Sequence, residues 1–434
     1  MDATAMALSR RRLLAGVVGS AGLAALGACG GPAPGKSEDS DGEASGEIRL
    51  VTPIYEEEAG KQLLDSLLAE FTRKYPKVKV QVDHTNYGKL NEKLTTSLAS
   101  GRPYDVMMMG VGWVPPFAAK GVLADLGESR ESLDKLYNSR VVEAGVWEDK
   151  VYALPVMLDT RFGIYRKDFF AEAGLSEPPK SFEEMRAYAK KLTKRDGKKL
   201  TRAGIDVLAI DLRQCFLPLL WANGGDLFTP DKQVAFNSPA GVEALSFMTD
   251  VIRVDKSEEI GFTEPGAATG IPLVQGRAAM MIGHHNTWTE MEKTKPELIS
   301  EDKVGAFLVS NKRSAIFQGG TLASVSAKSA HPAAATALAK FLAGPKASLA
   351  ASEQRGNVPA AASAMDSEYV KKNGFVQFAM QNMDSAFSEG GVPAWLEIRE
   401  GFKPAIESAL LGKRSPKQAL DDLAADADKA MARG

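Results

Sequence analysis

From Ile48 onward the sequence alternates between two hydrophobic periods, and this alternation constrains the fold more than any other feature. Ile48-Arg49-Leu50-Val51-Thr52 and Val78-Lys79-Val80-Gln81-Val82 read as strands. Between them Leu63, Leu64, Leu67, Leu68, Phe71 and Tyr75 recur at helical spacing until Pro76 stops the helix. A polar helix over 90–99 follows. Asp105-Val106-Met107-Met108-Met109 is then a continuous apolar run, suited to a strand covered on both faces. Strands alternating with helices imply an α/β fold with a mainly parallel sheet.

The pattern continues to the C-terminus. The spacing predicts strands over 161–165, 278–282, 306–309 and 321–325. Ser181-Phe182-Glu183-Glu184 is a capping box opening a helix through Met185, Tyr188 and Leu192. Ser238-Pro239 supplies an N-cap and an N1 proline. His331-Pro332 opens an alanine-rich helix ending at Gly344-Pro345. Helices are expected around 374–387 and 394–411, and Ser415-Pro416-Lys417-Gln418 opens the last one.

The first residues read as an address. Ser9-Arg10-Arg11-Arg12-Leu13-Leu14 fits the twin-arginine export pattern, and residues 13–28 form a short apolar stretch containing four glycines. It ends Leu26-Gly27-Ala28-Cys29, which resembles a bacterial lipobox, with Cys29 as the lipidated new N-terminus. Residues 1–28 are thus expected to be a signal peptide and 29–46 a flexible tether rich in Gly, Pro, Ser and acidic residues. Cys215, in an apolar run, is the only other cysteine and is expected to be buried, so no disulfide forms. The expected location is the extracytoplasmic face of the cell membrane.

Among 434 residues, 53 basic side chains face 55 acidic ones, so charge gives no case for nucleic-acid binding. The apolar share of 44% is that of an ordinary globular chain, which excludes a disordered or disulfide-scaffold character. Enzyme signatures are sparse. There is no G-x-S-x-G, no phosphate-cradling G-x-x-x-x-G-K-[ST] and no H-E-x-x-H. On a strand His284-His285 would point to opposite faces, which argues against a shared metal and favours a loop pair with one histidine facing a cleft. No metal or cofactor is called for. Trp113, Trp221, Trp288 and Trp395 each sit beside Gly, Pro or Asn near an element end. Indoles so placed suit stacking on the apolar faces of sugars.

Several motifs fall in a recognisable order. They are Asp105-Val106 with Trp113-Val114-Pro115-Pro116-Phe117, Tyr152-Ala153-Leu154-Pro155 through Asp159 to Ile164-Tyr165-Arg166-Lys167-Asp168, Trp221-Ala222-Asn223-Gly224-Gly225-Asp226, Gln275-Gly276-Arg277-Ala278-Ala279-Met280-Met281-Ile282-Gly283, and Gly319-Gly320 ahead of His331-Pro332. In this the chain resembles, over about 48–430, the family-1 extracellular solute-binding proteins of bacterial ABC importers, the group that includes maltose-binding proteins. The resemblance implies a two-lobed, periplasmic-binding-protein-like α/β fold with a solute cleft between lobes joined by hinge crossovers. Lobe 1 would be 47–157 plus 315–365, and lobe 2 would be 158–314 plus 366–434. The lobes close on the solute by a hinge motion.

The resemblance also implies site residues. Asp159 would accept hydroxyl hydrogen bonds at the crossover. Trp395 would be a stacking aromatic and Trp113 a ligand contact after its strand. Gly319 and Gly320 would let backbone approach the ligand, and one of Glu56, Glu57 and Glu58, with Glu57 as the choice, would face the cleft. Trp221 and Trp288 complete the expected ligand-binding set. One departure stands out: many sugar-binding relatives carry an aspartate where this chain has Gly110-Val111-Gly112. The expected function is that of a lipid-anchored monomer, not an enzyme, which binds a mono- or oligosaccharide and delivers it to ABC permease subunits. Two alternatives stay open: a non-sugar solute such as a glycerol phosphodiester or a compatible solute, or an anchored glycan-processing enzyme. An anionic solute would need two or more Arg or Lys in the cleft, with Arg161, Arg355 and Arg399 as the candidates.

Overall fold

The computed structural model describes residues 44–263 and 270–433. The expected signal peptide, Cys29 and nearly all of the tether lie outside the described residues.

The strands in chain order are β1 (Gly46–Thr52), β2 (Val78–His84), β3 (Val106–Gly110), β4 (Val146–Trp147), β5 (Lys150–Val151), β6 (Ala153–Arg166), β7 (Lys194–Asp196), β8 (Lys199–Arg202), β9 (Met280–His284), β10 (Val304–Phe307), β11 (Val309–Ser310), β12 (Ser314–Val325), β13 (Val358–Pro359) and β14 (Ala386–Ser388). Ten of them share one sheet whose spine runs β10-β6-β12-β3-β1-β2. β9 and β13 also pair with β6, and β11 and β14 with β12.

Parallel pairing holds for β1–β2, β1–β3 and β12–β14. The sheet is nonetheless mixed rather than mainly parallel. β6 and β12 run antiparallel to each other, and antiparallel pairing also joins β12 to β3 and β6 to β9 and β10. These two strands are also much longer than their local patterns suggest. The stretch 161–165 is only the end of a 14-residue strand, and 321–325 only the end of a 12-residue one. Pro155 and Asp159 interrupt the apolar run in β6, and Gly319-Gly320 lie just before the strand expected over 321–325. Pairing with neighbours on both sides, a tertiary effect, carries the strands through these positions.

Alternation along the strands divides the core. Ile48 and Leu50 of β1, with Val106 and Met108 of β3, enter a cluster with Phe71, Phe162, Leu338 and Phe375. Val51, Met107 and Met109 point the other way, into a second cluster with Leu90, Trp113 and Phe117. This is why β3 is apolar at every position: both faces are covered. The third cluster gathers Phe216, Trp221, Phe236, Trp395 and Phe402. β12 touches all three, through Ile316, Phe317 and Leu322. Cys215 is buried in the third cluster, and burial pushes its thiol well above the ordinary value.

The helix starts follow their caps. Ser181 Oγ accepts from the Glu184 N–H, while Glu184 Oε2 accepts from the N–H of Lys180 instead of closing the box on Ser181. Ser415 and Gln418 close theirs in both directions. Ser238 makes no side-chain cap, and Pro239 alone marks that start. Gly344-Pro345 ends one helix (Pro332–Ala343) and opens another (Pro345–Arg355). The helix expected over 374–387 stops at Gln381, because 386–388 leave helical geometry to pair with β12 as β14.

Candidate functional site

The register of β6 against β12 sets Asp159 opposite Gly319 and Leu158 opposite Gly320, and on its other side β6 sets Arg161 opposite His284 of β9. Asp159 therefore stands where the two long strands cross the sheet. Arg161 grips both of its carboxylate oxygens, at 2.8 and 3.1 Å, and donates a further bond to Gln214 Oε1 at 2.6 Å. His284 Nε2 reaches Asp159 Oδ1 at 2.5 Å, while its Nδ1 accepts from the Asn286 N–H. The Asp159 side chain remains 27% exposed, whereas Arg161 is buried beneath it. Burial pushes the Asp159 carboxyl up, but the Arg161 guanidinium and then His284 outweigh it and hold it well below the usual carboxylate range. The site thus presents a fixed, ionised acceptor to solvent.

The two histidines correct the strand-alternation argument. β9 ends at His284, so His285 is free of the pleat and the two rings lie 4.4 Å apart beside Asp159. His285 Nδ1 lies 3.2 Å from the Thr160 N–H, which can only donate. The ring proton is therefore assigned to Nε2, a buried donor without a partner among the described residues. Burial and neighbouring His284 push the His285 pKa down to about 3. That of His284 is lowered by burial and by Arg161, which outweigh the pull of Asp159. Both rings are neutral near pH 7. One ligand atom each from Asp159, His284 and His285 falls within 4.8 Å of the others. Yet Arg161 holds both carboxylate oxygens and Thr160 takes up His285 Nδ1, so the donor set is spent and a guanidinium opposes a cation.

Helix Tyr87–Ala99 begins at its Asn86 cap and brings Tyr87, 38% exposed, to Thr321 of β12 with 2.5 Å between the hydroxyl oxygens. Burial of its hydroxyl pushes the pKa up to about 12, with the Thr321 hydrogen bond and Arg355 opposing and Asp159 adding. Asn357, two residues past Arg355, donates to the Leu158 carbonyl at 3.1 Å, which brings the end of that helix to the strand position next to Asp159. Arg355 ends its helix and donates to the Ile54 carbonyl in the loop after β1 at 2.9 Å. Beside it lies a cavity of about 560 Å³ lined by Glu57, Arg355, Thr289, Glu292, Tyr369 and Asn373. The volume falls in the range of about 300–1,000 Å³ usual for small-molecule sites.

The expected site residues separate into groups. Asp159 and Gly319 are paired neighbours. Gly320 has φ +138°, and a Cβ there would lie 2.3 Å from the Met157 carbonyl oxygen, so only glycine fits. Glu57 lines the cavity, and half-buried Trp288 donates to Glu292 in its wall at 3.0 Å. Trp221 is buried, with Phe317 and Phe387 stacked against it. Trp113 is buried alongside Phe117. Trp395 is 0% exposed, edge-on to Phe228. It also meets the Gly110-Val111-Gly112 departure: a Cβ on Gly112 would lie 2.8 Å from Trp395 Nε1. Behind this contact Glu389 is buried in an ion pair with Arg213 and 3.7 Å from Arg399. Tyr87 is the functional candidate that local pattern missed, and the contact of the histidine pair with Asp159 was not foreseen either. Their signal is register across the sheet, not spacing along the chain.

A profile of the family described as bacterial extracellular solute-binding protein matches residues 55–348. The galactooligosaccharide-binding protein of Bacillus subtilis (strain 168) is 26% identical over 409 residues, 92% of each chain. The diacetylchitobiose binding protein DasA of Streptomyces coelicolor is 31% identical over 178 residues, 40% of this chain and 41% of its own. Among solved structures, the sugar-binding protein MalE from Xanthomonas citri matches with a TM-score of 0.76 at 19% identity, covering 89% of this chain and 98% of its own. The GacH receptor of Streptomyces glaucescens, solved unliganded and with acarbose, matches at 0.73 and 24%, covering 90% and 99%. The α/β fold is thus the two-lobed fold of these binding proteins. Among the described residues no helix is long and apolar enough to cross a membrane. With most of the chain inside the family profile, the protein belongs to the bacterial extracellular solute-binding family.

Proposed function

We propose that this protein is a carbohydrate receptor of an ABC importer, anchored through Cys29 after twin-arginine export, which presents its closed, solute-bound form to permease subunits as a monomer. The lobes would be 47–157 plus 315–365 and 158–314 plus 366–434, hinged where β6 and β12 cross. The observation that carries the reading is the ionised, partly exposed Asp159 at that crossing, fixed by Arg161 from below. A charged acceptor held in one geometry binds sugar hydroxyls more strongly than a neutral one. Glu57, Gly319, Gly320 and Trp288 would complete the solute's surroundings, with Tyr87 and Arg355. Binding of galactooligosaccharide and diacetylchitobiose by the named relatives supports a sugar as the solute class.

Charge favours a neutral solute over an anion. Arg161 is committed to Asp159, and Arg399 faces Glu389 and Glu400. Of the three arginines Arg355 alone remains, bonded to a carbonyl, and in its cavity Glu57, Glu292, Glu353 and Glu368 outnumber Arg355, Lys293 and Lys372. The enzyme alternative needs a general acid with a raised pKa opposite a second carboxylate, and Asp159 is shifted the other way. The test is a thermal-shift screen of the protein, unfolded and refolded to strip any co-purified solute, against sugars, glycerol phosphodiesters and quaternary amines. At about a hundred times its Kd a ligand adds roughly 2.7 kcal/mol. A shift with one sugar family, without consumption of that sugar, is expected. A shift only with phosphodiesters or amines would replace the carbohydrate reading by the other solute class.

A further inference from the structure

The two sides of Asp159 are built differently. Toward Arg355 lies the 560 Å³ cavity beside Glu57. On the other side Asp159 leads through Arg161 to Gln214, whose neighbour Arg213 is paired with Glu389. There the opposing segments touch. Gly112 (φ +85°) and Gly390 (φ +111°) meet so closely that a Cβ on Gly390 would lie 2.7 Å from the Gly112 Cα. Leu396 packs into the Trp113–Phe117 cluster, and the Lys232 ammonium lies 5.5 Å over the Trp147 ring. Three independent contacts, one backbone, one apolar and one cation–π, therefore join the 110–152 side to the 228–233 and 389–396 side. Both glycines occupy left-handed backbone in which a side chain would be strained as well as obstructed. The full burial of Trp395 is the outcome: its ring has no face left for a sugar.

We propose that this glycine seam makes the closed cleft blind at the Trp395 end, so that the receptor takes a single sugar or the terminal unit of a glycan at Asp159, any further units leaving through the Glu57–Arg355 cavity. The specificity follows from shape. A linear chain has an end to place against the seam, whereas a cyclic oligosaccharide, or a chain blocked at both ends, has none. The inference rests on the carbohydrate reading, and its failure is separable from failure of that reading.

The experiment is calorimetric titration of the full protein with glycans of the sugar that gives the thermal shift. Four forms are compared: linear, blocked with a bulky aglycone at either terminus, and cyclic. The linear form and one of the blocked forms are expected to bind alike, and the other blocked form and the cyclic form at least 100-fold more weakly. Binding of the cyclic form within tenfold of the linear one would overturn the blind end and leave the sugar receptor standing. No binding by any carbohydrate would overturn both. A second measurement needs no solute at all. In the double variant Gly112→Cys, Gly390→Cys, oxidised glutathione should take the two thiol hydrogens and join the sulfurs, since backbones this close need only a small separation to reach disulfide span. Peptide mapping should find the 112–390 cross-link, and its absence in a folded variant would overturn the seam.

Discussion

The Asp159 crossing and the Trp395 seam both gather residues from distant parts of the chain, yet they treat solvent in opposite ways. At the crossing, Arg161 is buried and the carboxylate it holds stays partly open. At the seam, an indole leaves solvent entirely. The difference is one of desolvation. The crossing keeps one charged face wet, and that face is what a hydroxylated solute can meet, whereas the Glu389–Arg213 pair behind the seam is out of water on both sides, at a cost of several kcal/mol per ion. An indole gains by burial, and two glycines let the opposing backbone come close enough to complete it. The polar region is left available for binding, and the apolar region becomes a wall.

The largest expected effect tests the wall. Trp395→Ala should destabilise the solute-free fold by about 3–5 kcal/mol, as for other buried aromatic truncations, read from urea unfolding. A loss below about 1 kcal/mol would mean that the indole is not packed as described. Next, Asp159→Asn leaves Arg161 buried beside a neutral amide. It should cost about 1–3 kcal/mol, less than a fully buried pair because the carboxylate is partly exposed, and weaken solute binding at least tenfold. Unchanged binding would remove Asp159 from the site.

The pH dependence separates the carboxylate from the histidines. The folded pKa of Asp159 is depressed, so its contribution is present above the ordinary carboxylate value and lost only as pH falls below it. His285 is depressed to about 3. It therefore costs stability as pH falls below its unfolded value of about 6.5, by roughly 2 kcal/mol between pH 7 and pH 5. His284 acts in the same direction. His285→Asn should flatten this slope, and a wild-type protein equally stable at pH 7 and pH 5 would contradict the buried neutral ring. The smallest effect lies at the open end. Trp288→Leu should change stability by less than about 1 kcal/mol, since the indole is half-exposed, while calorimetry reads a weaker solute affinity. A stability loss like that of Trp395→Ala would erase the contrast between the two ends.

Much of this was written locally. β1, β2, β3 and the helix over Glu58–Lys74 follow from period and from Pro76, and the Ser415–Gln418 box closes as its spacing requires. Asp159 was legible as a position because the motif around it is contiguous. What its carboxylate touches was not, since Arg161, His284 and Gln214 converge through register between β6 and its neighbours. The absence of an aspartate at 110–112 was visible as a gap, but what stands against it was not: Gly390, some 280 residues further on, and Trp395.

The sequence by itself determined the alternation of elements, the caps, the apolar faces and the family, because each depends on neighbours within a few residues or on motifs in a fixed order. Only the tertiary structure decided which tryptophans lose their solvent, where the histidine pair turns and which end of the cleft is shut. Those outcomes are set by strand register and by close approach across the fold, and no local period carries either.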